Sequence, residues 1–156
     1  MRSTVIGVLA VVSALAGAVA GCGGAKSISK AELIRKGDAR CAQGNRRIRA
    51  VPQPTFSPQS TTRAQLPQAA GYLAKVNPVH RSEIEYLRGL GEPTEGGKQW
   101  KEILAQADQA AGALRDAERF ARAGDLNRFK SQFGKLGRNE YPQLAKKFGF
   151  TECGQG

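Results

Sequence analysis

The chain has 156 residues, with 24 Lys and Arg against 13 Asp and Glu for a net charge of +11; that length fits one domain with a respectable core. The only histidine, His80, paired at one i,i+3 step with Glu83, supplies too few ligands for a zinc centre, which takes three or four donors. No G-x-S-x-G, H-E-x-x-H or C-x-x-C pattern occurs, so neither catalysis nor a metal or cofactor is expected.

At the N-terminus Arg2 precedes the apolar run VIGVLAVVSALAGAVA, residues 5–20, whose one polar interruption is Ser13. That run falls short of the roughly 20 residues a spanning helix needs. A charged start, an apolar run and small residues after it are the parts of a secretory signal peptide. Val19-Ala20-Gly21-Cys22 comes next, and this tetrapeptide resembles the lipobox of bacterial lipoproteins. The resemblance implies cleavage before Cys22, lipid on its thiol, and a domain held to the extracytoplasmic face of the cell membrane. Several acyl chains, at about 0.8 kcal/mol per buried CH₂, make a stable anchor. The bland alternative is a chance cysteine behind a leader or a short anchor helix.

Cysteine parity agrees with the lipobox. An odd count in an exported chain asks which cysteine is left over. With Cys22 lipidated, Cys41 and Cys153 are free to pair in an oxidising compartment. The expected organisation is a signal peptide over 1–21, a lipidated Cys22 with a flexible tether over 22–28, and a helical domain over 29–156. Loss of Arg2 with the leader takes the net charge from +11 to +10.

The domain opens on a capping box, Ser29-Lys30-Ala31-Glu32, with Ile28 and Leu33 placed as a hydrophobic staple. The first helix therefore starts at Ser29. Leu33, Ile34, Gly37, Cys41 and Ile48 recur at helical spacing, which puts Cys41 on the buried face. Val51-Pro52 ends the helix, because the residue before a proline is pushed out of the α region. Residues 51–62 hold Pro52, Pro54 and Pro58 and read as an exposed, semi-extended connection.

The second helix spans about Thr62 to Leu90, with Leu66, Ala69, Leu73, Val76, His80, Ile84 and Leu87 along one face. Pro67 fits its first turn, while Pro78 is expected to kink it. Leu90-Gly91-Glu92-Pro93 stops it. The third helix has the cleanest stripe: Trp100, Leu104, Ala107, Ala111, Leu114, Ala117 and Ala121, with Ile103 beside it. Ala123-Gly124-Asp125 reads as a C-cap, a left-handed glycine and the N-cap of the next helix. The fourth helix carries Leu126, Phe129, Phe133, Leu136, Leu144 and Phe148, breaks near Asn139 and is capped by Gly149. No strand periodicity is visible.

Four amphipathic helices with short connections predict an all-α, up-down-up-down four-helix bundle with a kinked second helix and one disulfide. The last helix runs back toward the start of the first. Cys41 lies roughly 18 Å along that first helix from Ser29 at 1.5 Å per residue. The tail after Gly149 covers much of this at roughly 3.3 Å per residue. A Cys41–Cys153 bridge is therefore expected, the alternative being two buried free thiols. The segments ISKAELIRKGDARCAQGNRRI, YLAKVNPVHRSEIEYLRGLGEP and FGFTECG, with Trp100 and the AGD turn, resemble a set of functionally uncharacterised small helical lipoproteins of actinobacterial envelopes. That resemblance implies fold and location, and no activity.

The remaining chemistry is sparse. His80 is expected to be a structural histidine on the apolar stripe. Gly91 to Lys98 lacks the spacing, the Ser or Thr and the preceding strand of a P-loop. Glu83/Glu85 and Asp116/Glu118 are spaced for different helix faces rather than one cleft. Basic residues crowd the first helix at Arg35, Lys36, Arg40, Arg46, Arg47 and Arg49, and Arg115, Arg119 and Arg122 follow on the third. Outside the cytoplasm, anionic lipids and acidic wall polymers are the anions at hand, and nucleic acid is not. Arg35, Arg40, Arg46, Arg47 and Arg49 are the candidate contacts. The expected function is a membrane-anchored, non-catalytic interaction or structural module with a basic surface. The alternative is a carrier holding an apolar molecule or lipid between the helices, where the small residues Ala107, Ala111, Gly112 and Gly37 leave room or simply permit close packing, in a pocket lined by Trp100, Phe129 and Phe133.

Overall fold

A computed structural model describes residues 27–155. The leader, Cys22 and the tether up to residue 26 lie outside the described residues. The element order is β1 (Ser27–Ile28), α1 (Lys30–Arg49), a 3-10 turn (Arg63–Gln65), α2 (Leu66–Gly89), β2 (Glu92–Pro93), α3 (Gly97–Arg122), α4 (Leu126–Leu136) and α5 (Tyr141–Phe148). The helices form the bundle expected, with α3 packed against α2, α4 and α5 and with α1 against α2.

Ser29 caps α1 by accepting the amide of Glu32 at 3.2 Å. The reciprocal half of the box is missing, because the Glu32 carboxylate takes Lys36 Nζ at 2.7 Å instead. Ile28 and Leu33 enter the same core, as a staple should. Ile28 also does something its sequence did not announce. Ser27 and Ile28 pair in parallel with Glu92 and Pro93, and the Thr94 amide donates to the Ile28 carbonyl at 2.9 Å. The expectation of no strand is corrected by this ladder: two residues per strand are too few to show alternation. Once the Ile28 and Pro93 side chains are buried, the backbone between them needs partners.

The proline-rich connection is less exposed than its composition suggests. Thr61 is 1% exposed and its hydroxyl donates to the Ser57 carbonyl at 2.9 Å. Phe56 packs against the core formed by α2 and α4. In α2, Pro67 sits in the first turn and Pro78 lies inside the helix, which runs unbroken from Leu66 to Gly89. The buried face follows the expected stripe as far as Val76. It then steps to Val79, Glu83 and Leu87, while His80 and Ile84 are only half-buried. Both Val79 and His80 satisfy helical spacing from Val76, and it is Val79 that is buried.

Ala123 ends α3, Gly124 takes φ +71°, and Asp125 accepts the Arg128 amide at 3.0 Å, as the AGD turn predicts. The expected break separates α4 from α5, and Asn139 holds it. Its Nδ2 donates to the Gln106 carbonyl and to Gln106 Oε1, both at 3.0 Å. Its Oδ1 accepts the Tyr141 amide at 3.0 Å. Gly149 closes α5 at φ +119°.

Two cores result. The first joins Leu33, Cys41, Leu87, Trp100, Ile103, Phe148 and Phe150. The second joins Leu66, Leu73, Val76, Ala117, Ala121 and Phe129, with Phe56 and Phe133 against it. Between them α3 contributes Ala107, Ala110, Ala111 and Gly112, a stretch of small side chains.

Candidate functional site

The disulfide is formed. Cys41 and Cys153 have sulfurs 2.05 Å apart, Cα atoms 5.1 Å apart and a sequence separation of 112. Cys41 is fixed by the buried face of α1. Cys153 is delivered by a clamp the sequence did not reveal. Asp38, one turn before Cys41, accepts the amides of Thr151, Glu152 and Cys153 at 2.8 to 3.2 Å, and the Thr151 hydroxyl at 2.9 Å. Burial works against the Asp38 charge, but these four donors outweigh it and hold its pKa below the ordinary 3.8. Asn45 adds a bond from Nδ2 to the Glu152 carbonyl at 3.1 Å. The signal in the sequence was an acidic residue near Cys41 opposite a short polar tail, which is too common to single out.

The basic residues divide into two groups. Arg35, Arg46, Arg47 and Arg49 are exposed. At about 100° per residue, Arg35, Arg46 and Arg49 fall within about 60° of one another on the outer side of α1. Arg40 departs from the expected surface set. Its guanidinium donates to Ser82 Oγ at 2.8 Å and Gln43 Oε1 at 3.1 Å and lies 5.6 Å from the Tyr86 ring centroid. It therefore joins α1 to α2 rather than facing outward. On α3, Arg119 pairs with Asp116 at 3.1 Å and Arg122 with Glu118 at 2.8 Å, so the α3 arginines are largely matched by carboxylates.

Trp100 is set apart from Phe129 and Phe133, which line a cavity of about 290 Å³ with Phe56 and Tyr72. Trp100 belongs to the first core, whereas Phe129 is buried in the second, with Phe133 packed against it. A cavity of about 360 Å³ opens elsewhere, beside the small residues of α3. Its walls include Ile84 of α2, Ala107, Ala110 and Ala111 of α3, and the Cys41–Cys153 bridge. His80, Glu83 and Tyr141 also border it.

Glu83, the i,i+3 partner of His80, has a burial that the sequence did not announce. It is 9% exposed. Its Oε2 lies 3.6 Å from His80 Nδ1, and its Oε1 has no hydrogen-bond partner. The carboxylate occupies the space a β-carbon on residue 44 would fill, so Gly44 of α1 is what admits it. Burial raises the Tyr141 pKa, and the negative charges of Glu83 and Asp38 push it up further, which keeps the phenol neutral.

Among the described residues, no group of three or more His, Cys, Asp and Glu side chains converges as a metal site. No described helix is long and apolar enough to cross a membrane. No family model matches the chain, and no curated protein or solved structure matches it either.

Proposed function

We propose that this chain is a membrane-anchored envelope lipoprotein, a non-catalytic interaction or structural module whose basic surface rests on anionic lipids or acidic wall polymers. The observation that carries the reading is Val19-Ala20-Gly21-Cys22 at the end of an apolar run. The Cys41–Cys153 bridge supports it by using both other cysteines, so Cys22 is the odd one. The exposed stripe of Arg35, Arg46 and Arg49 supports the anionic partner. Each basic residue near an anionic surface contributes about 1 kcal/mol. Together the three contribute on the order of 3 kcal/mol, or roughly a hundredfold in affinity.

Fractionation of cells expressing the full chain and its Cys22→Ala variant tests the anchor. The native chain is expected in the membrane fraction and the variant in the soluble or secreted fraction. A variant that loses its leader yet stays on the membrane overturns the anchoring. Co-flotation of the unlipidated domain with phosphatidylglycerol vesicles tests the surface. Binding should be strong at low salt, weaken as salt shortens the screening length, and fall in the Arg35→Glu/Arg46→Glu/Arg49→Glu variant. Salt-independent binding overturns the electrostatic part.

A second reading is a carrier for a small apolar molecule. The cavity of about 360 Å³ favours it, since small-molecule sites begin at about 300 Å³.

A further inference from the structure

We propose that the cavity between the two cores takes an apolar molecule bearing a protonated amine, with the Glu83 carboxylate as its counter-charge. The inference rests on the carrier reading and names the ligand class. The cavity equals about a dozen waters in volume at roughly 30 Å³ each, and three alanines, Ile84, Leu114, Leu136 and the disulfide give its wall an apolar character. A purely apolar ligand would need nothing more.

Glu83 lines the same wall, and its Oε1, lodged against Gly44, has no hydrogen-bond partner. Burying a charge is expensive unless it is paired and hydrogen-bonded, and an unsatisfied buried group calls for a partner. Here the fold makes room for the charge, because Gly44 leaves free the space that the carboxylate fills.

The groups around Glu83 leave that role open. On α1, Arg40 reaches Ser82, the neighbour of Glu83, but donates to its hydroxyl. On α2, His80 stands at the cavity edge, half-exposed, with Nδ1 3.6 Å from Oε2. On α5, Tyr141 is neutral, and in the tail the acidic residue Glu152 also lines the cavity. The interior is thus biased toward cations inside a chain whose net charge is strongly positive.

That contrast gives the test its discrimination. A positive surface alone favours anionic amphiphiles, whereas the cavity favours cationic ones. Isothermal titration of the exported domain, residues 23–156, would compare n-octylammonium, 1-octanol and octanoate. Both cores of that domain lie within the described residues.

Saturable one-to-one binding of octylammonium is expected, at least tenfold tighter than octanoate. Glu83→Gln should weaken octylammonium about tenfold to a hundredfold, the range for a charged hydrogen bond, and leave octanol within about twofold. Ala111→Leu, which intrudes on the cavity, should weaken all ligands that bind, with circular dichroism confirming the fold of both variants. If octanol binds as tightly as octylammonium, or Glu83→Gln changes nothing, the amine is overturned and the carrier stands. If none of the three binds saturably, the carrier falls as well.

Discussion

The two cores are built on different principles. The second is made by neighbours in sequence: α2, α3 and α4 follow one another through short turns and close on Leu73, Ala117 and Phe129. The first is assembled from the two ends of the described chain. Ile28 and Leu33 meet Phe148 and Phe150, and Trp100 lies between, with ring centroids 6.0 Å and 6.1 Å from those two phenylalanines. Trp100 Nε1 donates to the Gly91 carbonyl at 3.0 Å, and Gly37 gives Phe150 the space it needs against α1. The difference explains where the reinforcements sit. Contacts between distant segments carry the larger chain-entropy penalty, and the disulfide, the Asp38 clamp and the β1–β2 ladder all gather at the first core.

The strongest way to break this comparison is to cut the covalent tie. Closing a loop over a separation of 112 stabilises by on the order of 4–5 kcal/mol in the chain-entropy model. Cys153→Ser should lose about that much, lowering Tm by roughly 15 °C. Hydrogen exchange should show early opening at Leu33 and Trp100 with protection kept at Leu73 and Ala117. Uniform loss of protection would mean the cores are one unit. Phe129→Ala is the converse cut, expected to remove roughly 3–4 kcal/mol and to open the second core first, which urea unfolding with the same exchange readout would resolve.

Smaller changes sharpen the contrast. Asp38→Asn keeps the volume but removes the charge that three amides share, and should cost about 2 kcal/mol. The native Asp38 pKa is depressed, so its contribution is fully present above the ordinary 3.8 and is lost as pH falls through the folded value. Exchange of the Thr151 to Cys153 amides should therefore accelerate in acid in the native protein and change much less in the variant. Gly44→Ala should cost about 1–2 kcal/mol by crowding Glu83. Thermal melts of a double-mutant cycle with Glu83→Ala should show the two effects failing to add; simple additivity would contradict the Gly44–Glu83 contact.

What could be read in advance was what short range determines. Ser29, the AGD turn and Gly149 each act on their own few residues, and those caps stand where their chemistry required. The disulfide was also legible, because Cys41 lay on an apolar stripe and the helix order returned Cys153 to it. The small residues Ala107 and Ala111 marked where a cavity lies, but its remaining walls and the burial of Glu83 were not legible. A charged residue at an interior position contradicts the pattern that defines the interior, and Val76 offered two acceptable next steps. The Arg stripe was visible as composition, but the diversion of Arg40 depends on Ser82 and Tyr86, which lie on another helix. Trp100 and Phe129 were assigned a shared pocket because both are aromatic, whereas α3 carries their surroundings to opposite ends.

The short ladder at Ser27 and Ile28 sets the posture of the domain on the proposed anchor. Five peptide steps separate Cys22 from Ser27, a reach of at most about 17 Å. On that proposed anchor the start of α1 would be held close to the bilayer, while its far end lies about 30 Å further along the helix. Standing upright, the domain would lift Arg46 and Arg49 several screening lengths above the head groups. Reclining, it would lay the outer side of α1 along them. A leash this short turns the choice between those postures into a choice between using the arginine stripe and wasting it.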